Sequence, residues 1–480
     1  MLRACALRCG SLSEWLVSRA IAATSGQATP STAALQPNIP GRGILAGYSV
    51  RFWLIVVGVG AFAGLAGAGF LALLRLVERI AWHRSADGFL AAVKHDSASR
   101  HVLVLVAAGL IAGAGGLLVR RLRASGGGEV SESLWLRGSR LELVPSLLRG
   151  VISIITVGMG VSLGREVAPQ LAGAAAASEL CDRNAGKITP AQRQLLVAAG
   201  AGAGMAAVYN VPLGGALFAL EVLLGTLALP LVLPALLTCL IATAVAWIVV
   251  PTAATYTIPA FTVSATQIFW ALLIGPLAGL VAVGWVHLVA LANRARPSHR
   301  TIRLIAPIVI FAGLGALAIP YPQLLGNGKP LAQLVFVGKL SVGLIAILLV
   351  LKPLVTAACL SSGSPGGLFT PTLALGVLFG ALLGHAWSLI WPGAPIGSYA
   401  LIGGGAVLAA AMQGPLAACV LMLELTHSDG SLTVPLLLAV AEATVLARLL
   451  RVPSIYSARI IDPSQPPRRP PVASEGDGAA

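Results

Sequence analysis

Residues 200–221 read GAGAGMAAVYNVPLGGALFALE, and residues 403–424 read GGGAVLAAAMQGPLAACVLMLE. The two stretches align at an offset of 203 residues (403 − 200). The identical pairs that carry most weight are Gly202/Gly405, Ala206/Ala409, Pro212/Pro415, Leu213/Leu416 and Glu221/Glu424. A proline, a leucine and a glutamate kept at one spacing indicate that the same short structural element occurs twice.

The same offset relates a second pair of motifs, which precede the first. The residue pairs that it matches there are Gly164/Gly367, Glu166/Phe369 and Gly173/Gly376. Alanine- and glycine-rich segments raise identity by themselves, but one register that holds two separated motifs indicates two homologous halves. We place the halves at residues 47–251 and 256–461. We expect inverted orientations in a membrane, with broken helices meeting at a central anion site between the halves.

The composition indicates a membrane protein. Of the 480 residues, 57% are hydrophobic and 10% are charged, whereas a soluble domain carries about a quarter charged residues. Apolar runs recur along the chain, and several reach the roughly 20 residues with which a helix spans a bilayer. Helices are expected because lipid offers no hydrogen-bond partner to an open sheet edge. The predicted fold class is therefore an all-α polytopic membrane protein.

The formal charge of +15 does not indicate a nucleic-acid surface, because the basic residues lie between the apolar runs. The two main clusters are Arg120, Arg121 and Arg123, and Arg294, Arg296, Arg300 and Arg303. Positive loops beside membrane helices mark the cytoplasmic side, so the expected location is the cell (inner) membrane. The six cysteines and seven histidines show no metal-ligand spacing, and neither a metal nor a cofactor is predicted.

The two ends of the chain differ from the apolar part. Residues 1–47 are rich in Ala, Ser, Arg and Pro, and residues 462–480 are rich in Pro. Neither segment has the apolar content that packing requires, so both are predicted to be disordered tails. The membrane domain is expected to occupy residues 48–461, with no soluble regulatory domain at either end.

Four short segments interrupt the apolar surroundings with Gly, Pro and polar residues. They are residues 124–128, 164–169, 363–371 and 453–457. Broken helices leave free backbone N–H groups at their N-termini, and several such ends aimed at one point can hold an anion. Ser125 and Tyr456 would add two neutral hydroxyl donors. The alternative interpretation is that Gly and Pro only kink tightly packed membrane helices.

Glu166 stands at the start of a hydrophobic segment, where a carboxylate is costly unless it has donors or a function. At a helix N-terminus the carboxylate would occupy the place of an anion and would leave that place when protonated or displaced. Such a carboxylate is a gate. The alternative is a helix-capping glutamate paired with Arg165.

Three other charged residues lie in apolar surroundings. Glu221 and its repeat Glu424 are either capped structural carboxylates or water-accessible proton carriers near the inner face. Lys352 interrupts an apolar run, and it would either extend to the membrane interface or raise the potential for anions.

Taken together, these motifs resemble those of the chloride channel/transporter (ClC) family, in its bacterial type without regulatory CBS domains. The resemblance rests on Gly164-Arg165-Glu166, the GGLFTP segment at 366–371, Tyr456 and the two Pro-Leu…Glu stretches. It covers roughly residues 48–461 and implies a homodimer in a lipid bilayer, with one chloride pathway in each subunit.

The resemblance also implies roles for individual residues. Ser125 and Tyr456 would hold the central chloride, and Glu166 would be the outer gating glutamate. The backbone amides that would line the pathway are those of Gly367, Leu368 and Phe369.

Two departures from the family pattern bear on function. The first motif usually reads Gly-Ser-Gly-Ile-Pro and here reads Ala124-Ser125-Gly126-Gly127-Gly128, so the serine is kept. Proton-exchanging members commonly carry an inner glutamate immediately after the position of Glu221, where this chain has Val222. Valine cannot carry a proton, and the substitution resembles the channel branch.

The leading interpretation is a voltage- or pH-gated chloride channel with Glu166 as its gate. The alternative is an antiporter that exchanges chloride for protons, with Glu221 or a water chain in place of the missing inner glutamate. No Ser/His/Asp set, His-Glu-x-x-His pattern or phosphate-binding loop is present in the sequence, so an enzyme is not predicted.

Overall fold

The computed structural model describes residues 48–83, 88–122, 129–428 and 430–460. The predicted tails at 1–47 and 462–480 and the predicted chloride ligand Ser125 lie outside these ranges. Within the described residues, the regular secondary structure is helical, and seven helices are long and apolar enough to cross a membrane. The predicted all-α polytopic architecture is confirmed.

The first half of the described chain contains nine α-helices. In order they are α1 (Val50–Trp82), α2 (Phe89–His95), α3 (Ala98–Leu122), α4 (Val130–Leu136), α5 (Leu143–Gly158), α6 (Val167–Arg183), α7 (Pro190–Tyr209), α8 (Pro212–Leu217) and α9 (Leu229–Ala246). A π-helical turn, Phe218–Leu224, directly continues α8.

The second half contains eight further α-helices, all within the described ranges. In order they are α10 (Ala265–Arg294), α11 (Arg300–Ala318), α12 (Lys329–Phe336), α13 (Val342–Ser361), α14 (Phe369–Ser388), α15 (Ile396–Met412), α16 (Pro415–Thr426) and α17 (Thr433–Leu449). Two short 3₁₀ turns span Pro322–Leu324 and Ser457–Arg459. Apart from α2, each helix of the first half has a counterpart in the second near the offset that the sequence repeat sets.

The repeat is visible at the ends of α7 and α15. Asn210 ends α7 with φ 58°, and Gln413 ends α15 with φ 60°. A residue in the left-handed region ends a helix, because the chain changes direction at that residue. A proline then begins α8 and α16, because its fixed φ suits the first helical position and its missing N–H costs nothing there. Equivalent sequence thus produces an equivalent helix–turn–helix in each half.

Glycine pairs allow two equivalent helix crossings to be unusually close. A Cβ on Gly173 of α6 would collide with the carbonyl oxygen of Gly200 on α7. In the second half, a Cβ on Gly376 of α14 would lie 2.7 Å from the carbonyl oxygen of Gly403 on α15. Small residues bring membrane helices into backbone contact. Van der Waals packing then stabilises the helix pair, because lipid surroundings give no hydrophobic driving force for helix association.

The two halves meet at Gly164 and Gly367, which form an isolated antiparallel bridge. The N–H of Gly164 donates to the carbonyl of Gly367 at 2.7 Å, and the N–H of Gly367 donates to the carbonyl of Gly164 at 2.8 Å. A contact in which equivalent residues exchange the same bond is the signature of a two-fold relation. The halves are therefore related by a pseudo-two-fold axis at this bridge, as the inverted repeat predicts.

Lys352 does not extend to a membrane interface, so that alternative is wrong. Its side chain is 1% exposed on α13. The ammonium donates to the carbonyl oxygens of Leu324 and Gly326, at 2.8 Å each. A buried ammonium needs such acceptors, because a charge without partners in an apolar interior is very costly. Lys352 thus fastens the loop before α12 to the centre of α13.

Candidate anion site

The candidate site begins in the turn between α5 and α6, where Glu166 folds back over two glycines. A Cβ on either Gly164 or Gly367 would collide with the carboxylate of Glu166. Glycine at both positions is therefore required for the bridge between the halves and the carboxylate to occupy the same place. This is the local reason why Gly-x-Glu in one half faces Gly-x-Phe in the other.

The carboxylate of Glu166 binds the N-terminus of a helix from the opposite half. Its Oε1 accepts a hydrogen bond from the backbone N–H of Phe369, the first residue of α14, at 2.7 Å. Its Oε2 lies 3.3 Å from the hydroxyl of Tyr209 and 3.5 Å from that of Thr370. The side chain is 1% exposed. Glu166 thus occupies a position with the donors and the helix dipole that an anion requires.

Arg165 is not the partner of Glu166 that the capping alternative requires. Its guanidinium lies over the ring of Tyr209, 5.0 Å from the ring centroid, instead of within ion-pair distance of the carboxylate. Arg165 and Tyr209 also line a cavity of about 680 Å³, which we call the outer cavity. Lys94 and Lys329 lie in the same lining. The carboxylate of Glu166 therefore has a basic approach from this side.

Tyr456, the second predicted hydroxyl ligand, contacts side chains of both halves. Its hydroxyl donates to the sulfur of Met412 at 3.8 Å, and its ring meets the edge of Phe218 at 5.5 Å between centroids. Met412 in turn lines a second cavity of about 520 Å³, which we call the inner cavity. Tyr456 is thus one side chain away from the inner cavity.

The two cavities lie on opposite faces of the pseudo-two-fold axis. Asn210, at the end of α7, lines the outer cavity, and its equivalent Gln413, at the end of α15, lines the inner one. Inverted halves place equivalent residues on opposite sides of a membrane, so one cavity per side is the expected result. Glu166 contacts Tyr209 of the outer cavity, and Tyr456 contacts Met412 of the inner cavity.

The three predicted pathway amides have different surroundings. The N–H of Gly367 is used in the bridge to Gly164, and the N–H of Phe369 binds Glu166. Leu368 is buried, and its carbonyl accepts from the N–H of Thr372 at 2.9 Å. With Glu166 in place, the amide of Phe369 is the one of the three that meets an anionic group. The roles of these residues in chloride binding stay predictions.

Glu221 and Glu424 are capped carboxylates, but each caps a helix of the opposite half. Glu221 accepts from the N–H groups of Leu416 and Ala417, at 3.2 and 2.6 Å. Glu424 accepts from the equivalent N–H groups of Leu213 and Gly214, at 3.0 and 2.7 Å. Carboxylates at helix N-termini satisfy donors that the helix itself leaves open. This reciprocal capping is the second contact between the halves that follows the two-fold relation, after the bridge between Gly164 and Gly367.

Glu221 also lines the inner cavity, so its capping does not isolate it from water. Val222 follows it in the π-helical turn and lines the same cavity. The side chain of Val222 is 7% exposed and would touch a Cβ placed on Gly414. Next to the cavity there is thus one carboxylate, and the adjacent position is apolar and closely packed.

Sequence reasoning missed Tyr209 and Thr370 as partners of Glu166. Their hydroxyls are 2.8 Å apart, and both face Oε2 of the carboxylate. A signal was present for Tyr209, because it is a polar side chain inside an Ala- and Gly-rich repeat. Thr370 lies in the glycine- and proline-rich segment 363–371, whose pattern points to backbone donors and not to this hydroxyl.

Comparisons with known proteins find similarity to one family over most of the chain. A family model described as "Voltage gated chloride channel" matches residues 103–448. A putative chloride channel protein ClcB-like from Ralstonia nicotianae is 32% identical over 416 residues, which cover 83% of this chain and 95% of that protein. The voltage-gated ClC-type chloride channel ClcB of Salmonella typhi is 30% identical, over 85% of this chain and 98% of that protein.

Solved structures with the same fold include two exchangers. A slow cyanobacterial Cl⁻/H⁺ antiporter superposes with a TM-score of 0.72 at 21% identity, covering 85% of this chain and 97% of that one. A CLC-type fluoride/proton antiporter superposes with a TM-score of 0.66 at 19% identity, with the same coverage of both chains. At these identities the likeness shows the fold alone.

Proposed function

The chain belongs to the voltage-gated chloride channel family, and on this premise we propose that it is a chloride channel with the carboxylate of Glu166 as its gate. One observation carries the proposal: Glu166 Oε1 accepts a hydrogen bond of 2.7 Å from the N–H of Phe369, at the N-terminus of α14. A chloride ion requires the same donor and the same helix dipole. The carboxylate and the ion therefore compete for one place.

Competition accounts for opening without a large rearrangement. Protonation neutralises the carboxylate and weakens its hydrogen bond to Phe369, because a bond to a charged acceptor is about twice as strong as a neutral one. Chloride then gains the position. Ser125 and Tyr456 hold the central chloride, as the family resemblance implies, and the amides of Gly367, Leu368 and Phe369 line the route once Glu166 has moved.

Passive conduction is favoured over exchange by Val222. An exchanger must carry a proton from the inner face to Glu166, and an isolated charge in an apolar path costs several kcal/mol. The side chain that follows Glu221 is a buried valine packed against Gly414. The relatives with the higher identity are described as chloride channels.

A second candidate is chloride/proton antiport through Glu221, and the inner cavity favours it. This cavity is about 520 Å³ and is lined by Glu221, Val222 and Met412. Met412 accepts from the hydroxyl of Tyr456. Water in the cavity would bring a proton from Glu221 to within one side chain of the Tyr456 hydroxyl.

Proton flux in liposomes separates the two candidates. For a channel, an outward chloride gradient drives chloride flux but no uphill proton movement, in the wild type and in Glu221→Gln alike. Chloride-driven proton pumping by the wild type that is lost in Glu221→Gln would make the protein an exchanger with Glu221 as its inner proton carrier. Glu132→Gln is the control variant, because Glu132 is paired with Arg137 and does not line the inner cavity.

We also propose a homodimer in the cell (inner) membrane, with the cross-capped helices at its interface. Leu213 and Leu416 are the second residues of α8 and α16, lie beside the capping carboxylates, and are 49% and 45% exposed. Carboxylates this close to lipid are costly, and a second copy that covers them removes the cost. Crosslinking of single cysteines at position 416 in membranes tests this arrangement.

A further inference from the structure

A third cavity lies among arginines that line neither the outer cavity nor the inner cavity. It is about 140 Å³ in volume and is lined by Arg120, Arg149, Arg296 and Arg303, together with the Ser362–Gly363 turn. We call it the arginine cavity. Arg120 and the pair Arg296 and Arg303 come from the two basic clusters that the sequence places on the cytoplasmic side.

The packing of α3 against α11 explains why the two clusters meet. A Cβ on Gly109 would collide with the backbone of Ile308, and one on Gly113 would lie 2.8 Å from the carbonyl oxygen of Leu304. The partner numbers fall as the glycine numbers rise, so the helices are antiparallel and in backbone contact. Continuing this register carries Arg120, at the end of α3, to the loop before α11.

Positive charge exceeds negative charge around the arginine cavity. Glu129 accepts from Arg149 at 3.1 Å and from Arg459 at 2.5 Å. One carboxylate thus serves two guanidinium groups, while Arg120 and Arg303 repel each other across the cavity. Residues 121–128 and 297–302, which flank these arginines along the chain, contain no Asp or Glu.

Two of the guanidinium groups retain buried donors. The Nε atoms of Arg149 and Arg296 are buried and have no hydrogen-bond partner among the described residues. Burial and the nearby Arg459 lower the pKa of Arg296 to about 9. Unmatched buried donors on charged groups are costly, so these two donors fit an anion that accepts hydrogen bonds from them.

The geometry points to a phosphate group as the anion that the arginine cavity binds. Guanidinium groups form paired N–H···O bonds with planar or tetrahedral oxyanions, which a single chloride ion cannot accept. The cavity is also too large for chloride alone. The excess of arginines matches a group with more than one negative charge.

The surroundings of the cavity favour a lipid headgroup as the source of the phosphate. Of the seven candidate spans, α3 and α11 have the smallest buried shares, 33% and 28%. Their exposed faces meet lipid, and the arginine cavity lies between their cytoplasmic ends. Basic pockets between membrane helices on this side bind anionic headgroups.

Binding of two probes to the purified full chain tests the site. The probes are inorganic phosphate and short-chain phosphatidic acid, measured by microscale thermophoresis in detergent, with phosphatidylcholine as the neutral lipid. Wild type is expected to bind phosphatidic acid, and Arg120→Gln/Arg303→Gln should weaken this binding by on the order of tenfold for each arginine removed. Both residues are at or near the surface, and retained chloride flux confirms that the variant is folded.

Arg300→Gln is the matched control, because Arg300 is exposed at the start of α11, the helix that carries Arg303, and does not line the cavity. Binding of phosphatidic acid without inorganic phosphate supports the site with a lipid source, and binding of both supports it with a shared phosphate chemistry. Binding of neither probe overturns the proposal. Equal losses in Arg300→Gln and the double variant also overturn it, as does displacement of phosphate by chloride at an equal concentration.

Discussion

Replacing Glu166 by Gln removes the charge of the gate and keeps its shape. The 2.7 Å distance from Oε1 to the N–H of Phe369 is in the range of charge-assisted bonds, about 2.7–2.9 Å. Such a bond contributes about 1.5–3 kcal/mol net, against about 0.5–1.5 for a neutral one. The substitution therefore weakens the hydrogen bond between residue 166 and the N–H of Phe369 by about 1–1.5 kcal/mol. Chloride should gain roughly tenfold in its competition for the site.

The pH dependence follows from the same competition. In the wild type, lowering external pH protonates Glu166 and releases the Phe369 N–H, so chloride flux should rise as pH falls. Glu166→Gln imitates the protonated carboxyl at every pH, and Glu166→Ala vacates the place. Both variants should give a flat profile at or above the acidic level of the wild type.

Chloride efflux from liposomes, followed with a chloride electrode across a pH series, measures these profiles. Glu179→Gln is the control, because Glu179 is an acid on the same helix, α6, paired at the surface with Arg183 at 3.0 Å. It should keep the wild-type profile. A Glu166→Gln profile that rises with acidity as in the wild type would refute competition as the gating mechanism.

Three further substitutions test the pathway and its frame. Tyr456→Phe should weaken chloride binding by at most about tenfold in calorimetry, since one neutral hydroxyl donor contributes about 0.5–1.5 kcal/mol; no change would make the hydroxyl a spectator. Gly173→Ala should destabilise the protein by about 1–3 kcal/mol through overpacking, measured as thermal unfolding in detergent, whereas Gly116→Ala, which has open space around it, should not. Lys352→Met leaves two buried carbonyls without their donor and should cost about 1–3 kcal/mol for each; an unfolding temperature like that of the wild type would show that water replaces the ammonium.

Much of the architecture could be predicted because its signals are local or periodic. An apolar run long enough to span a bilayer indicates a membrane helix wherever it occurs. A constant offset between similar motifs indicates a repeat even when no residue contacts are known. Both signals survive in a single sequence. The position of Glu166 beside helix-breaking glycines was enough to suggest an anion-like carboxylate, because the cost of a charge in an apolar segment does not depend on the fold.

The partners of that carboxylate could not be predicted in the same way. The sequence suggested a helix N-terminus for Glu166 and a pairing with Arg165 as the alternative. In the structure the helix N-terminus is that of Phe369, 203 residues away, and Arg165 lies over the ring of Tyr209. Lys352 is a similar case, because its two carbonyl acceptors belong to a loop more than 20 residues distant, which the sequence leaves without a position.

The sequence by itself determined the class and the repeat, and it singled out Glu166, since hydrophobicity, offset and helix-breaking residues are properties of short segments. Only the tertiary structure decided which groups meet. Glu221 and Glu424 each cap the other half's helix, and arginines from separate clusters surround one cavity. These contacts depend on how two inverted halves close on each other across a pseudo-two-fold axis. A donor and an acceptor some 200 residues apart have no defined distance until that closure is made.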